Sequence, residues 1–505
     1  LSANTAATQS QQPANVKLVM GAVMATFLLA SLGQTIITTA LPIIVSDLGG
    51  IEHISWAFTS YLLAATVASP LFGKLGDMYG RKLILQIGIG IFLAGSLLAA
   101  IAPNLPLLVL CRFIQGLGGG GLIVTAMAAI GDVLPPRERG KAQGFIGAAF
   151  GVSTVVGPLI GGVIVEALSW RWLFLVNVPI GILAFTVISM VFKSPVGGTR
   201  RKVDYVGATL LTTALSAFVI YASIGGTVIP WLAPEALLLP VIGTVALAAF
   251  IIAEHRAAEP ILPMFLFRNN AFLVSNAVGF VVGTAMFGTI TYLPSYLLIV
   301  QGFTPTAAGL ALLPMMLGII SASTLSGILI SRTGRYKLQP ILSTAILALG
   351  MVLLTTLGTD TPFALVVLYA LLVGIGIGPV MSVGVTAVQN AVPPSVLGVG
   401  TASVQMFRQI GGSLGVAALG ALFANRLAAE TAAIGYPEGT AAYATEVLAA
   451  LSPDGRLAML EAYAAALHPI FWVGAIAAVL ASLLGWLLVE VPLTDRRAPE
   501  PAAAE

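Results

Sequence analysis

Charge is scarce in this chain. Of its 505 residues only 23 are Lys or Arg and 20 are Asp or Glu, against 55 glycines and a hydrophobic share of 58%. A water-soluble chain of that length covers itself with far more ionised side chains, so lipid is the solvent for most of this one. Cysteine is scarcer: Cys111 stands alone, which permits no internal disulfide and shows no metal-ligand spacing. The three histidines, His53, His255 and His468, are far apart in the chain. With no nucleophile beside a base and no metal set, an enzyme is not expected. No phosphate-binding GxxxxGKS/T stretch occurs, so ATP does not drive this chain directly, and the charge rings or filter loop of a channel are missing. The net charge of +3 is scattered over short loops without a basic domain. No nucleic-acid partner and no cofactor are expected.

What the chain has instead is apolar runs of about 20 residues, the length that spans a bilayer as a helix. We read roughly fourteen, from 18–41 to 469–489 and including 143–165 and 400–424. The predicted fold is therefore an all-α integral membrane protein. An even number of spans puts both termini on one side. The excess of Lys and Arg in alternate loops (Lys74, Arg81, Lys82, Arg137, Arg139, Lys141 and others, against Arg171, Arg426 and Arg456 opposite) makes that side the cytoplasm. Trp56, Trp170, Trp172, Trp231 and Trp472 fall near the outer boundary, where Trp is favoured.

An internal repeat organises these spans. GKLGDMYGR at 73–81 matches GILISRTGR at 327–335 at an offset of 254, whereas GLGGGG at 116–121 matches GIGIGP at 374–379 and LPPRERG at 134–140 matches VPPSVLG at 392–398, both at 258. The division that follows is a cytoplasmic tail 1–17, a six-helix bundle 18–192, a loop 193–204, two inserted helices 205–253, a loop 254–271, a second six-helix bundle 272–489 with an outer hairpin 425–468, and a disordered tail 490–505. Two homologous bundles suit a secondary transporter that rocks one half against the other around a site near the midplane.

Four stretches carry a family resemblance: GKLGDMYGRK (73–82), RFIQGLGGGG (112–121), GVSTVVGPLIGG (151–162) and WRWLFLVNVP (170–179). Together they resemble the major facilitator superfamily, in particular its fourteen-helix drug:H+ antiporter family, along nearly the whole chain. The resemblance implies an exporter of lipophilic small molecules, driven by protons, in a bacterial cytoplasmic membrane and acting as a monomer.

Within those stretches, Gly73 and Gly80 allow a tight turn, and Arg81 lies four residues after Asp77, within reach if the turn is helical. Asp132 is a second acidic partner. The resemblance implies that Asp77, Arg81 and Asp132 latch the inner gate; the corresponding second-half positions are Ser331, Arg335 and Asn390, which carry no acid. Gly151, Gly157, Pro158, Gly161 and Gly162 let helices approach closely, and Pro158 favours a kink. Arg112 sits on the order of 10 Å into its helix, and a charge at that depth faces a bundle interior or a cavity. The resemblance links it to proton transfer, with Arg408 its counterpart from the inner side.

Related chains carry an aspartate in helix 1, where this one has Gly33 in LGQTIITTALP. That leaves Glu166, near the outer interface, as a candidate protonation site or partner of Arg112. A pocket without a deep carboxylate suits neutral or anionic lipophiles. Gln34, Thr38, Gln115, Asn276, Tyr292, Gln405 and Gln409 are the candidate hydrogen-bonding groups in it. A lipid or glycolipid exporter on the same fold, and a proton-independent facilitator, are the competing readings.

Overall fold

The computed structural model describes residues 16–37, 40, 44, 47–48, 56–192, 204–225, 229–435, 451–491 and 493. Fourteen long helices are present among them. The first half holds α1 (Val16–Thr35), α2 (Trp56–Tyr79), α3 (Arg81–Ala100), α4 (Leu105–Val133), α5 (Pro136–Ala167) and α6 (Asn177–Val191). An inserted pair follows, α7 (Tyr205–Ile224) and α8 (Pro234–Arg256). The second half holds α9 (Asn270–Ile299), α10 (Leu313–Thr333), α11 (Leu338–Leu354), α12 (Phe363–Ala391), α13 (Leu397–Ala433) and α14 (Pro453–Trp486).

Eleven of the described helices are long and apolar enough to cross a membrane. The helix starts follow local chemistry. Asn104, Asp204, Asn269 and Ser452 each accept a backbone N–H in the first turn of α4, α7, α9 and α14. Several helices run past the spans expected from hydropathy. α5 starts at Pro136 because PRERGK is a good first turn outside the apolar run, and α13 and α14 extend toward each other through Ala-rich sequence of high helix propensity.

The repeat is visible in the packing. α4 is clamped between α2 and α3, and α12 between α10 and α11. A Cβ on Gly118 would fall 2.5 Å from the backbone of Phe92, and one on its repeat partner Gly376 would fall 2.5 Å from Leu347. Such closeness brings whole helices together where lipid provides no hydrophobic drive between them. The halves meet along two seams, α5 against α10 and α12, and α13 against α2 and α4. α7 lies over the second seam, touching α2 and α13, while α8 packs chiefly on α7. The outer wall is apolar, with Leu183, Met190, Leu232 and Val245 exposed.

Candidate functional site

The two seams close at the end that carries GKLGDMYGRK. α2 continues unbroken through Gly73 to Tyr79, so Gly73 is a helix-crossing residue and not a turn residue; Gly80 alone makes the turn, at φ 87°. The helical spacing brings Arg81 back to Asp77: its Nη2 donates to Asp77 Oδ1 at 2.5 Å, and its Nε donates to Asp132 Oδ2 at 2.7 Å. Asp77 also reaches across the seam. Its two carboxylate oxygens accept the backbone N–H groups of Gly398 (2.8 Å) and Val399 (3.1 Å), the second and third residues of α13.

Those amides are free because the second half breaks its helix here. A one-turn 3-10 segment, Pro394–Val396, precedes α13, and the α-helix restarts at Leu397 with unpaired N–H groups and a positive dipole end. Asp77 thus caps a helix of the opposite half. Glycines give the charges room: a Cβ on Gly76 would lie 2.6 Å, and one on Gly398 2.5 Å, from Arg81 Nη1, and one on Gly73 would lie 2.8 Å from the Gly398 carbonyl. Neither Gly76 nor the Gly398 and Val399 amides are evident in sequence, since a backbone donor carries no residue signature.

Four further bonds frame this end. Lys74 Nζ pairs with Glu259 Oε2 at 2.8 Å, tying α2 to the segment that follows α8. Lys82 Nζ donates to the Ser189 carbonyl at 2.8 Å, which anchors it within the first half. Arg139 Nη1 donates to the Gln389 carbonyl, and Gln389 Nε2 to the Met127 carbonyl, each at 2.9 Å across the halves. The neighbouring Asn390 points elsewhere, toward the Val491 carbonyl.

Deeper in the first half, Arg112 is fully buried. Its Nε donates to the Ala57 carbonyl at 3.1 Å, its Nη1 to the Gly33 carbonyl at 2.9 Å and to Gln115 Oε1 at 2.5 Å. The guanidinium also lies over the Tyr61 ring, 4.4 Å from its centroid. Nη2 has no partner, and no carboxylate pairs with Arg112 among the described residues. The place of the expected helix 1 acid is filled: a Cβ on Gly33 would lie 2.5 Å from Phe92 Cζ. Gln115 passes the network on, its Nε2 donating to Ser96 Oγ at 2.6 Å.

The second half repeats the theme with fewer bonds. Arg408 is buried and its Nη2 donates to Gln405 Oε1. One residue on, Gln409 Oε1 accepts from Thr66 Oγ1 at 3.0 Å, a buried bond between the halves. Gln34 is buried, and Asn276 donates to the Phe272 carbonyl while its Oδ1 stays unpaired. Tyr292 packs at a tilt on Phe423, which meets Tyr463 edge-on, well within the second half. Gly151 packs on Ile320 of α10 and Gly157 on Thr35 of α1, so the glycine-rich stretch of α5 serves both the first seam and the packing within the first half. Gly161 is buried beyond it; the side chains of Pro158 and Glu166, the surroundings of Gly162, and Thr38 lie outside the described residues.

At the opposite end, Asp47 Oδ2 accepts from Trp170 Nε1 at 2.9 Å and from Arg171 Nη1 at 3.1 Å. The indole N–H first, and then the guanidinium, hold the Asp47 carboxyl below the ordinary carboxylate range.

The family model of the Major Facilitator Superfamily matches residues 23–416. The chain belongs to that superfamily. It is 40% identical over 489 residues to an MFS-type transporter of Mycobacterium tuberculosis, covering 96% of this chain and 71% of that one. It is 36% identical over 414 residues to "Multidrug transporter protein MdtP" of Bacillus subtilis, covering 82% of this chain and 76% of the relative. "Multidrug resistance protein 3" of the same species is 33% identical, covering 83% of this chain and 81% of the relative. Among solved structures, the proton:xylose symporter XylE superposes with a TM-score of 0.64 at 14% identity, covering 93% of this chain and 95% of that one, which is a likeness of fold. This superfamily chain is thus a multi-pass membrane transporter, with relatives named for multidrug transport.

Proposed function

We propose that this transporter exports lipophilic small molecules across a bacterial cytoplasmic membrane by alternating access, in exchange for protons, with both termini cytoplasmic. The observation that carries the reading is the concentration of half-joining bonds at one end: Asp77 to Gly398 and Val399 across the second seam, Arg139 to Gln389 across the first, and Gln389 to Met127. A gate made of a few hydrogen bonds, each worth about 0.5–3 kcal/mol, holds one end shut and still releases. The names of the Bacillus relatives support drugs or toxic compounds as the cargo class.

The surroundings of Arg112 support neutral or anionic cargo. A buried guanidinium held by carbonyls, with Phe92 where an acid would balance it, has beside it, among the described residues, no counter-charge for a cation. The same observation favours a second reading, a proton-independent facilitator.

Proteoliposomes with a pH-sensitive dye inside, given cationic, neutral and anionic lipophiles under an imposed pH gradient, separate these readings. Proton release that follows neutral or anionic substrates and is lost in Glu166→Gln is the expected result. Substrate movement without proton flux removes the exchange, and cations carried as well as anions remove the charge preference.

A further inference from the structure

Two arginines lie deep between the helices, and the protein holds them unequally. Arg112 is sealed, surrounded by two carbonyls, Gln115 and the Tyr61 ring. Arg408 keeps 5% of its surface open, and its one described bond is the one that Nη2 donates to Gln405 Oε1. No carboxylate pairs with Arg408 among the described residues. Its Nε and Nη1 have no partner among them either, yet they are not shut away from open space as Arg112 Nη2 is. A cation nine-tenths buried against one neutral amide is costly, and an entering anion relieves it.

Geometry says where such an anion comes from. The bond to Gln405 draws the guanidinium toward the second seam. Gln405 shares a face of α13, at helical spacing, with Gly398, Ala402 and Gln409. That face meets α2 of the first half: Gly398 and Ala402 pack on Gly73, and Gln409 accepts from Thr66 Oγ1 at 3.0 Å. The level is the middle of the membrane. At 1.5 Å per residue, Arg408 lies about 16 Å along α13 from Leu397, half of a hydrocarbon core of about 30 Å. Bilayer headgroups do not reach that depth, so the anion arrives with cargo. There is also room for it. A Cβ on Gly279 of α9 would meet nothing nearer than 3.7 Å and would lie 3.9 Å from Arg408 Cβ, whereas one on Gly283 or Gly411 would strike the backbone of the facing helix. α9 and α13 therefore touch at Gly283 and part at Gly279, beside the Arg408 side chain.

We infer that Arg408, steadied by Gln405, binds the ionised group of a lipophilic carboxylate at the midplane between the halves. This rests on the proposed export of lipophilic molecules and names the class that the site selects within it: lipophilic acids over their neutral or cationic relatives. An arginine suits the task, because its planar fork matches a carboxylate through two parallel N–H donors.

Binding to the full chain in nanodiscs at neutral pH, with binding to empty nanodiscs subtracted, tests this with two radiolabelled probes of one shape: naphthalenebutyrate and its primary amide. The carboxylate is expected to bind roughly tenfold or more tightly than the amide, since charge-assisted bonds are about twice as strong as neutral ones. Arg408→Gln removes that preference and leaves the amide bound as before. Arg408→Lys, which keeps the charge and loses the fork, restores part of it, and Arg112→Gln leaves it intact. A wild-type protein with no carboxylate preference, or a preference that survives Arg408→Gln, overturns the site. So does equal loss of both probes in the Gln and Lys variants, which would make Arg408 a support for the α9–α13 contact, and so does a preference that disappears only in Arg112→Gln. Proteoliposomes separate the site from the reading it rests on: an intact binding preference with no movement of either probe removes export and leaves the carboxylate site standing.

Discussion

At the α2–α13 crossing Gly73 meets Gly398, and at the α5–α10 crossing Gly140 meets Gly327, where a Cβ on Gly327 would fall 2.5 Å from the Gly140 carbonyl. These are repeat-related pairs, since 73 and 327 differ by 254 and 140 and 398 by 258. The chain has built one joint twice and charged it once. α5 is an unbroken α-helix from Pro136, so the amides of Gly140 and Lys141 are spent on its own ladder. α13 restarts at Leu397 and leaves the equivalent amides to Asp77. A shared backbone shape thus gains a clasp, a carboxylate bound to free amides, on one side and not on the other through a single interrupted helix turn.

Side chains at the two glycine crossings give the largest effect. Gly398→Val and Gly327→Val each force apart backbones in contact, at about 1–3 kcal/mol or more, and transport in reconstituted vesicles should fall on the order of a hundredfold in both. A loss in only one would show that the two joints do not move together. Size-exclusion profiles separate loss of function from loss of fold.

Asp77→Asn comes next. It removes the carboxylate shared by Arg81 and the two amides, and a loss of about 1.5–3 kcal/mol predicts roughly tenfold or more slower transport. Ser331→Asp, the mirror change, should bring no second clasp, because no free amide awaits it. Faster or tighter gating in that variant would refute the account of the interrupted turn.

The buried arginines sharpen the comparison at a smaller scale. Arg112 has three hydrogen bonds and a ring, whereas Arg408 has one described bond, to Gln405. Arg112→Gln should therefore lower thermal stability by more than Arg408→Gln, by about 1–3 kcal/mol, measured as unfolding in detergent.

The smallest effect is expected at the end away from the latch. Because the folded-state pKa of Asp47 is depressed, its contribution is fully present above the unfolded carboxylate pKa and is lost as pH falls through the folded value. Asp47→Asn should shift stability slightly at neutral pH and not at all in strong acid, since the group is exposed and screened.

Helix positions and the Asp77–Arg81 pair were legible in sequence because they rest on local signals, apolar length and helical spacing, whereas Asp132, 51 residues from Arg81, joined them through the family resemblance. What was not legible involves partners far apart in the chain. Asp77 and Gly398 are 321 residues apart, and Lys74 and Glu259 are 185 apart. Gly33 showed a missing acid, but that Phe92 fills the space follows only from packing. Gly73 misled for a local reason: a glycine near a charged loop reads as a turn, yet here it serves a helix crossing.

α13 runs for 37 residues, about 55 Å of continuous helix, from the Asp77 cap to the α13–α14 connection. Such a rod exceeds the thickness of the bilayer core by about 25 Å. It is held at Gly398 by Asp77 and packed farther along through Phe423 against Tyr292 and Tyr463, and a tilt of about 10° at the clasp would move the far tip by roughly 10 Å. Under the proposed alternating access, the loss of two amide hydrogen bonds at one end would in this way become a displacement of molecular size at the other.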